Sequence, residues 1–307
     1  MNPQPRISYL RHQDIDLVKW DNCIASAPNG LIYGYSWWLD QMAQHWDGLV
    51  LNDYEAVMPI TWNKKFGIAY LYQPFLTAQL GIFGHNIDAV LVESFLNSIP
   101  SQFRYWDIYL NHGNVFSLEK YELYQRRNFV LDLDRSYEKI YTSYRDNIKR
   151  NSRKAEQLGC KPVINFDVEK MIALAIEQMK TYSKESAENT ARFRNLYNYL
   201  HSRQQAITYG ILSPKEELIA SCVFVFSHQR AYYLLVGNHP DGRTIGASHM
   251  LIDAFIKDHA EKKMLLDFEG SDIPSLAFFY SSFGAVEENY AAIKENRLPF
   301  YLKWIKD

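Results

Sequence analysis

Two stretches of this chain run through the same order of elements, and that repetition constrains the fold more than any single motif. Residues 48–73 alternate β-rich runs with turn residues: 48–51, a turn at Asn52-Asp53, 54–62, a turn at Asn63-Lys64-Lys65, then 66–72. A helix at about 86–97 follows, then strands at 104–110 and 127–133. In the second half, runs at 206–212, 218–226 and 231–236 are separated by Ser213-Pro214-Lys215 and His228-Gln229. They lead into a helix at about 247–261, a strand at 264–268, a helix at 274–283 and a strand at 285–293. Meander, helix, strand, helix, strand is a mixed α/β pattern, and joining the strand before a helix to the strand after it needs a right-handed crossover. The halves share this order without obvious identity, so a duplication at the level of fold is expected.

The chain has 307 residues, 47% of them hydrophobic, which is above the length at which one core usually divides. Two domains are expected, 1–158 and 159–307, packed closely because no Pro-, Gly- or Ser-rich linker separates them. Thirty-three Lys and Arg against 35 Asp and Glu give a net charge of −2, which removes the bulk attraction that nonspecific DNA binding relies on. No DNA partner is expected. No stretch approaches the ~18–20 consecutive apolar residues of a membrane span, and the start lacks a signal peptide's apolar core, so the expected location is the cytoplasm. Cys23, Cys160 and Cys222 have no Cys-x-x-Cys spacing, and the nine histidines show no His-x-x-x-His pattern, so no metal is expected. No Gly-x-Ser-x-Gly elbow suggests a serine hydrolase.

Between the halves, helical spacing of Tyr137, Ile140, Tyr141, Tyr144, Ile148, Ala155 and Leu158 predicts one long helix over 136–158, ended by Gly159. Arg145, Lys149 and Arg153 recur every four residues on its other face, with Arg150 and Lys154 in the adjacent row. A basic row is ordinarily a solvated face; at a domain boundary it would line a cleft and could hold phosphate.

Chemistry concentrates between Tyr232 and Tyr290. A strand, a turn-rich passage and Arg243-Thr244-Ile245-Gly246-Ala247-Ser248 lead into a helix, whose first N–H groups are a place for a pyrophosphate. Asp267 and Glu269 close the next strand two residues apart, hence on one side of it, and Gly270 allows a sharp turn after them. Either carboxylate could act as general base. Tyr280, on the following helix, could protonate a leaving thiolate.

Arg243-x-x-Gly246-x-Ser248 is similar to the acyl-CoA pyrophosphate loop of the GNAT acyltransferase superfamily, and Tyr280-x-x-x-Gly284-Ala285 to its Tyr-x-x-x-Gly-Phe ending. Ser248 and Ala285 depart from the family pattern. Over nearly the whole chain the fuller resemblance is to the FemAB-like branch of tandem GNAT domains. It rests on Tyr35-Ser36-Trp37-Trp38-Leu39, Gln73-Pro74-Phe75-Leu76-Thr77-Ala78-Gln79-Leu80-Gly81, Asn147-Ile148-Lys149-Arg150-Asn151 with Lys154-Ala155, and Asp267-Phe268-Glu269-Gly270-Ser271. The resemblance implies two mixed sheets flanked by helices with an interdomain cleft, and transfer of an acyl group to an amine of a cell-envelope precursor or small metabolite. It implies a donor site at Arg243, Gly246, Ala247 and Ser248, with Glu269, Asp267 and Tyr280 as catalytic candidates. Gln73, Gln79, Arg145, Lys149 and Arg150 then stand as acceptor-binding candidates. Acyl-CoA is the first donor reading and aminoacyl-tRNA the alternative; a binding module that kept the fold and lost the chemistry is a third reading.

Overall fold

Turn chemistry divides the first meander as expected at one reversal and not at the next. β2 (His45–Leu51) reaches β3 (Ala56–Lys65) through Asn52, whose left-handed backbone (φ 48°) suits a short polar side chain. Asn63-Lys64-Lys65 extends β3 instead of ending it. The reversal into β4 (Ile68–Tyr72) falls at Phe66-Gly67, both at positive φ (51° and 80°), the twist a two-residue hairpin requires.

The computed structural model describes residues 6–180 and 187–298. The chain forms two units: one takes in the residues up to Arg126 and those from Asn289 onward, and the other is Arg127–Glu288.

The sheet of the first unit has the order β1-β2-β3-β4-β6-β15-β7, with β5 beside β3. Its further strands are β1 (Ile7–Leu10), β5 (Phe83–Gly84), β6 (Phe103–Tyr109), β7 (Tyr124–Arg126) and β15 (Tyr290–Asn296). Helices α1 (Leu17–Ser26) and α2 (Ser36–Met42) precede the meander. α3 (Ala89–Asn97) connects β4 to β6, the parallel pair of this sheet. Asp88 caps α3 by accepting the Leu91 N–H, and Val92, Phe95 and Leu96 bury its apolar face against Leu71, Trp106 and Ile293.

The second unit holds β8 (Phe129–Asp132), α4 (Tyr137–Ser143), α5 (Asp146–Gln157), β9 (Lys161–Ile164), α6 (Val168–Met179) and α7 (Ala187–His201). β10 (Ala206–Leu212), β11 (Leu218–Ser227), β12 (Arg230–Asn238), α8 (Pro240–Ile245) and α9 (Ala247–His259) follow. β13 (Leu265–Asp267), α10 (Pro274–Ser281) and β14 (Val286–Glu287) complete it. The sheet order is β14-β8-β13-β12-β11-β10-β9, and β12–β13 is its parallel pair. Phe224 of β11 stacks on Phe255 of α9 with ring centroids 3.6 Å apart at the centre of this core.

The two sheets share one order: an edge strand, a three-stranded meander, a parallel neighbour, an antiparallel strand and a short edge strand. Each half supplies its last strand to the other half's sheet: β8 follows the first meander yet pairs with β13, and β15 follows the second yet pairs with β6. The expected strand at 285–293 is therefore two strands in two different sheets. For the same reason the boundary does not fall at 158/159. The chain changes unit after Arg126 and again after Glu288.

The expected helix over 136–158 is broken into α4 and α5 at Tyr144-Arg145, both in extended conformation. Tyr144 is buried edge-on to Phe283 at 5.3 Å, and the Arg145 N–H donates to the Ser282 carbonyl at 2.9 Å. Packing against the end of α10 thus outweighs continuous helical hydrogen bonding. Ile148 and Ala155 of α5 are fully buried in the second core, so the basic helix belongs to the second unit.

Candidate active site

β11 and β12 pair in antiparallel register until Val223↔Leu234 and resume at Cys222↔Val236, leaving Leu235 as an extra residue with φ 43°. Such a bulge takes one peptide out of the ladder and bends the strand. On the other side, β12 pairs with β13 only from Arg230 to Tyr232. β13 ends at Asp267 while β12 continues to Asn238, so among the described residues Tyr233–Asn238 has no strand partner along that edge. An opened parallel pair with a bulge in one strand offers backbone N–H groups to a carbonyl oxygen, the means by which a tetrahedral oxyanion is stabilised.

The side chains beside this opening are Cys222, Tyr233, Phe268, Glu269 and Tyr280. Tyr280 stacks on Phe268 at 4.7 Å and lies edge-on to Tyr233 at 6.3 Å. Burial raises the pKa of the Tyr280 phenol, and the neighbouring Cys222 and Glu269 raise it further, so the group holds its proton at neutral pH. Tyr233 is raised likewise by burial, Cys222 and Tyr280. The Cys222 thiol is fully buried, donates toward the Leu234 carbonyl at 3.3 Å and has its pKa raised by burial and by Glu269. It is an inert thiol rather than a nucleophile. Glu269 is partly exposed and left-handed (φ 60°), with Gly270 after it also at positive φ. Glu269 follows Phe268, on which Tyr280 stacks, so the two candidates lie at the same end of β13.

Asp267 is not available as the alternative base. It is 1% exposed, and Arg230 donates to its Oδ2 at 2.9 Å. Its Oδ1 accepts from Asn128 at 3.0 Å and from the Glu269 N–H at 2.8 Å. Arg230 also donates twice to Glu288 at 2.7 Å. Burial opposes the Arg230 charge, but Glu288 and Asp267 outweigh it and raise the guanidinium pKa. Sequence reading missed Arg230 and Asn128; the available signal was an arginine opening an otherwise apolar strand, Arg230-Ala231-Tyr232-Tyr233-Leu234-Leu235-Val236.

The expected pyrophosphate loop is a short helix. Arg243 lies in α8, and Gly246 (φ 88°) ends α8 and opens α9, followed by the buried Ala247. A Cβ on Gly246 would stand 2.4 Å from the Asn151 carbonyl oxygen, so the glycine serves the close approach of α5. Lys154 donates to the Thr244 carbonyl at 2.9 Å, and Ser248 donates to the Asn238 side chain. With α5 against this flank of α9, the residues do not fit a diphosphate there.

Arg145 places its guanidinium 4.8 Å over the Phe278 ring and Lys149 its ammonium 5.4 Å over Tyr141, while Arg150 is exposed. The remaining candidates, Gln73 and Gln79, lie in the first unit and serve the backbone. Gln79 is 1% exposed and accepts the His112 N–H at 2.9 Å. Gln73 donates to the Thr77 carbonyl at 2.7 Å and accepts from the Tyr109 N–H at 3.0 Å. Trp38 donates to Thr77 Oγ1 at 3.0 Å, so the Tyr35–Leu39 and Gln73–Gly81 motifs latch onto each other. Among the described residues no group of His, Cys, Asp and Glu could hold a metal, and no helix is long and apolar enough to cross a membrane.

Residues 142–272 match the acetyltransferase (GNAT) domain family, and the match lies within the second unit. No curated protein matches the chain. Among solved structures, FemX superposes with a TM-score of 0.65 at 13% identity, covering 97% of this chain and 99% of FemX. A conserved protein of unknown function from Bacteroides thetaiotaomicron VPI-5482 gives 0.57 at 13% identity, covering 94% and 99%. L-PGS from Bacillus licheniformis gives 0.50 at 10% identity, covering 85% and 87%. The chain therefore has a GNAT fold of the FemAB-like, tandem kind, and the GNAT domain match supports a transferase.

Proposed function

We propose that the protein is an N-acyltransferase that moves an acyl group from a thioester to an amine, with its chemistry at the opening between β12 and β13. The observations that carry this reading are the Leu235 bulge in β12 and the packing of Tyr280 against Tyr233 of the same strand and on Phe268, the residue before Glu269. The acyl carbonyl would accept backbone N–H groups of the opened strand. Attack by the amine nitrogen forms the C–N bond, the nitrogen's proton passes to the Glu269 carboxylate, and the C–S bond breaks as the tetrahedral centre collapses. The departing thiolate takes a proton from the Tyr280 phenol, which burial keeps protonated. No role is assigned to Gly246 in holding a diphosphate, because α5 occupies that flank.

That same occupancy favours a second reading, in which the donor is an aminoacyl ester carried on tRNA and the leaving group is a hydroxyl. Thiol release from acetyl-CoA in the presence of a panel of primary amines tests the first reading. Release that requires the amine and is lost in Glu269→Gln supports it. Amide formation from aminoacyl-tRNA with no thiol release would move the assignment to the second, and neither product would leave a binding module of the same fold.

A further inference from the structure

The hairpin that joins β3 to β4 runs past the rest of its sheet. β2 pairs with β3 only as far as His45↔Trp62, and β6 meets β4 only from Phe103↔Ala69 onward. Asn63, Lys64 and Lys65 therefore pair with β4 alone, and the turn Phe66-Gly67 stands beyond both neighbouring strands. Counted at ~3.3 Å per residue, the tip lies about 13 Å past the start of β2.

The residue at the tip suits neither the turn nor a core. Position 66 is left-handed (φ 51°), where a two-residue hairpin takes Asn, Asp or Gly without steric cost and a bulky side chain is strained. Phe66 is 85% exposed, more than any other large hydrophobic side chain among the described residues. A singly exposed apolar residue is ordinary on a smooth surface. One held at the apex of a projecting ribbon, against the preference of its own turn, points to a contact outside the chain.

Cations surround this ring. Lys64 and Lys65 are exposed, the Lys65 ammonium lies 5.6 Å over the Phe66 ring, and the exposed Arg104 is the bulged residue where β6 begins to pair with β4. Residues 61–70 include no Asp or Glu, and among the described residues Lys64, Lys65 and Arg104 close no ion pair. A tip of this size covers far less than the ~800 Å² a side that a stable protein interface buries. A fluid bilayer asks for no fitted groove: an aromatic ring settles at the headgroup level, and long basic side chains reach anionic headgroups beside it.

We propose that the hairpin at residues 63–69 is a membrane contact, in which Phe66 enters an anionic lipid surface while Lys64, Lys65 and Arg104 hold its headgroups. One ring and three cations make the contact peripheral and reversible, and it does not depend on the transfer reading. Flotation of the full chain with vesicles of equimolar phosphatidylglycerol and phosphatidylcholine, beside vesicles of phosphatidylcholine alone, is the test. Binding at least fivefold stronger to the anionic vesicles, weakened at least fivefold in Phe66→Asn and in Lys64→Gln with Lys65→Gln, and kept in Phe66→Trp, supports the contact. Phe66→Asn gives the turn a residue it prefers, so its thermal melt should be no lower than that of wild type and lost binding is separated from lost fold. Equal partitioning of wild type and Phe66→Asn overturns the proposal, as does failure of the wild type to float with the anionic vesicles. A concentration-dependent dimer that Phe66→Asn abolishes, without vesicle binding, gives the tip to a second copy of the chain and overturns it too.

Discussion

Arg230, the first paired residue of β12, reaches at 2.9 Å to Asp267, the last residue of β13 before these two parallel strands cease to pair. Asp267 is also the acceptor for the Glu269 N–H, so the ion pair fixes the left-handed turn that presents Glu269. Asp267→Ala leaves the Arg230 guanidinium buried beside Glu288 alone and should cost about 3–5 kcal/mol in urea unfolding. A loss below about 1 kcal/mol would show that the pair is not needed to hold the opening.

Glu269→Gln is expected to keep the fold and lower kcat by about 10²–10⁴-fold, the range for a lost general base. Glu269→Gly separates chemistry from strain. It relieves a non-glycine residue at φ 60°, so it should fold at least as well as wild type while remaining inactive. Steady-state kinetics alongside thermal melts read both outcomes; full activity in Glu269→Gln would remove this residue from the mechanism.

Gly246→Ala should destabilise the second unit by more than about 1 kcal/mol, since the new Cβ would meet the Asn151 carbonyl oxygen at 2.4 Å and the backbone sits at φ 88°. A thermal melt unchanged from wild type would mean that α5 moves aside readily and that the flank of α9 can open to a ligand.

Lys149→Ala with Arg150→Ala should change stability by no more than about 0.5 kcal/mol, because neither side chain is buried. If these groups contact a phosphate-bearing acceptor, each lost charge-assisted bond should weaken binding by about 1.5–3 kcal/mol. Titration with a nucleotide-linked sugar at two salt concentrations checks this, and identical affinities for variant and wild type would make the row a solvated face.

Burial holds the His249 imidazole neutral in the folded protein, with its pKa lowered to about 4 from the ordinary 6.5. The unfolded chain therefore binds this proton first as pH falls. The contribution is fully present above about pH 6.5 and is lost as pH drops toward 4. It should amount to roughly 3 kcal/mol over that window. Comparing urea midpoints of wild type and His249→Gln at pH 7 and pH 4.5 isolates it: the gap between the two proteins should narrow on acidification, and a constant gap would show that His249 is already solvated.

Much of the fold could be read from local patterns. The second meander and the helix opening at Ala247 fall where apolar alternation and turn residues put them, because a run and its flanking turn are both local, while the strand expected at 264–268 covers Leu265–Asp267 and leaves Glu269 in a left-handed turn beyond it. What escaped was set by partners far away in sequence. Nothing in Tyr144-Arg145 announces a helix break, since the cause is Ser282 and Phe283. Leu235 carries no glycine or proline to mark a bulge; its register is a negotiation between β11 and β12. Glu269 and Tyr280 were legible as chemistry-bearing residues, but the difference between Glu269 and Asp267 depends on Arg230, whose partners lie 37 and 58 residues away.

The exchange of last strands has a consequence for how the polypeptide is made. A ribosome delivers β2, β3, β4 and β6 early, yet the strand that pairs with β6, Tyr290–Asn296, emerges only after the whole of Arg127–Glu288. The later-synthesised unit is continuous and can close its sheet first, while the earlier one waits with the edge of β6 open to water and to wrong partners. Vectorial synthesis thus runs opposite to the order of completion. A chain truncated after Glu288 should show a protease-resistant second unit beside a digestible first one, and β15 acts as the latch that ends the exposure of the first.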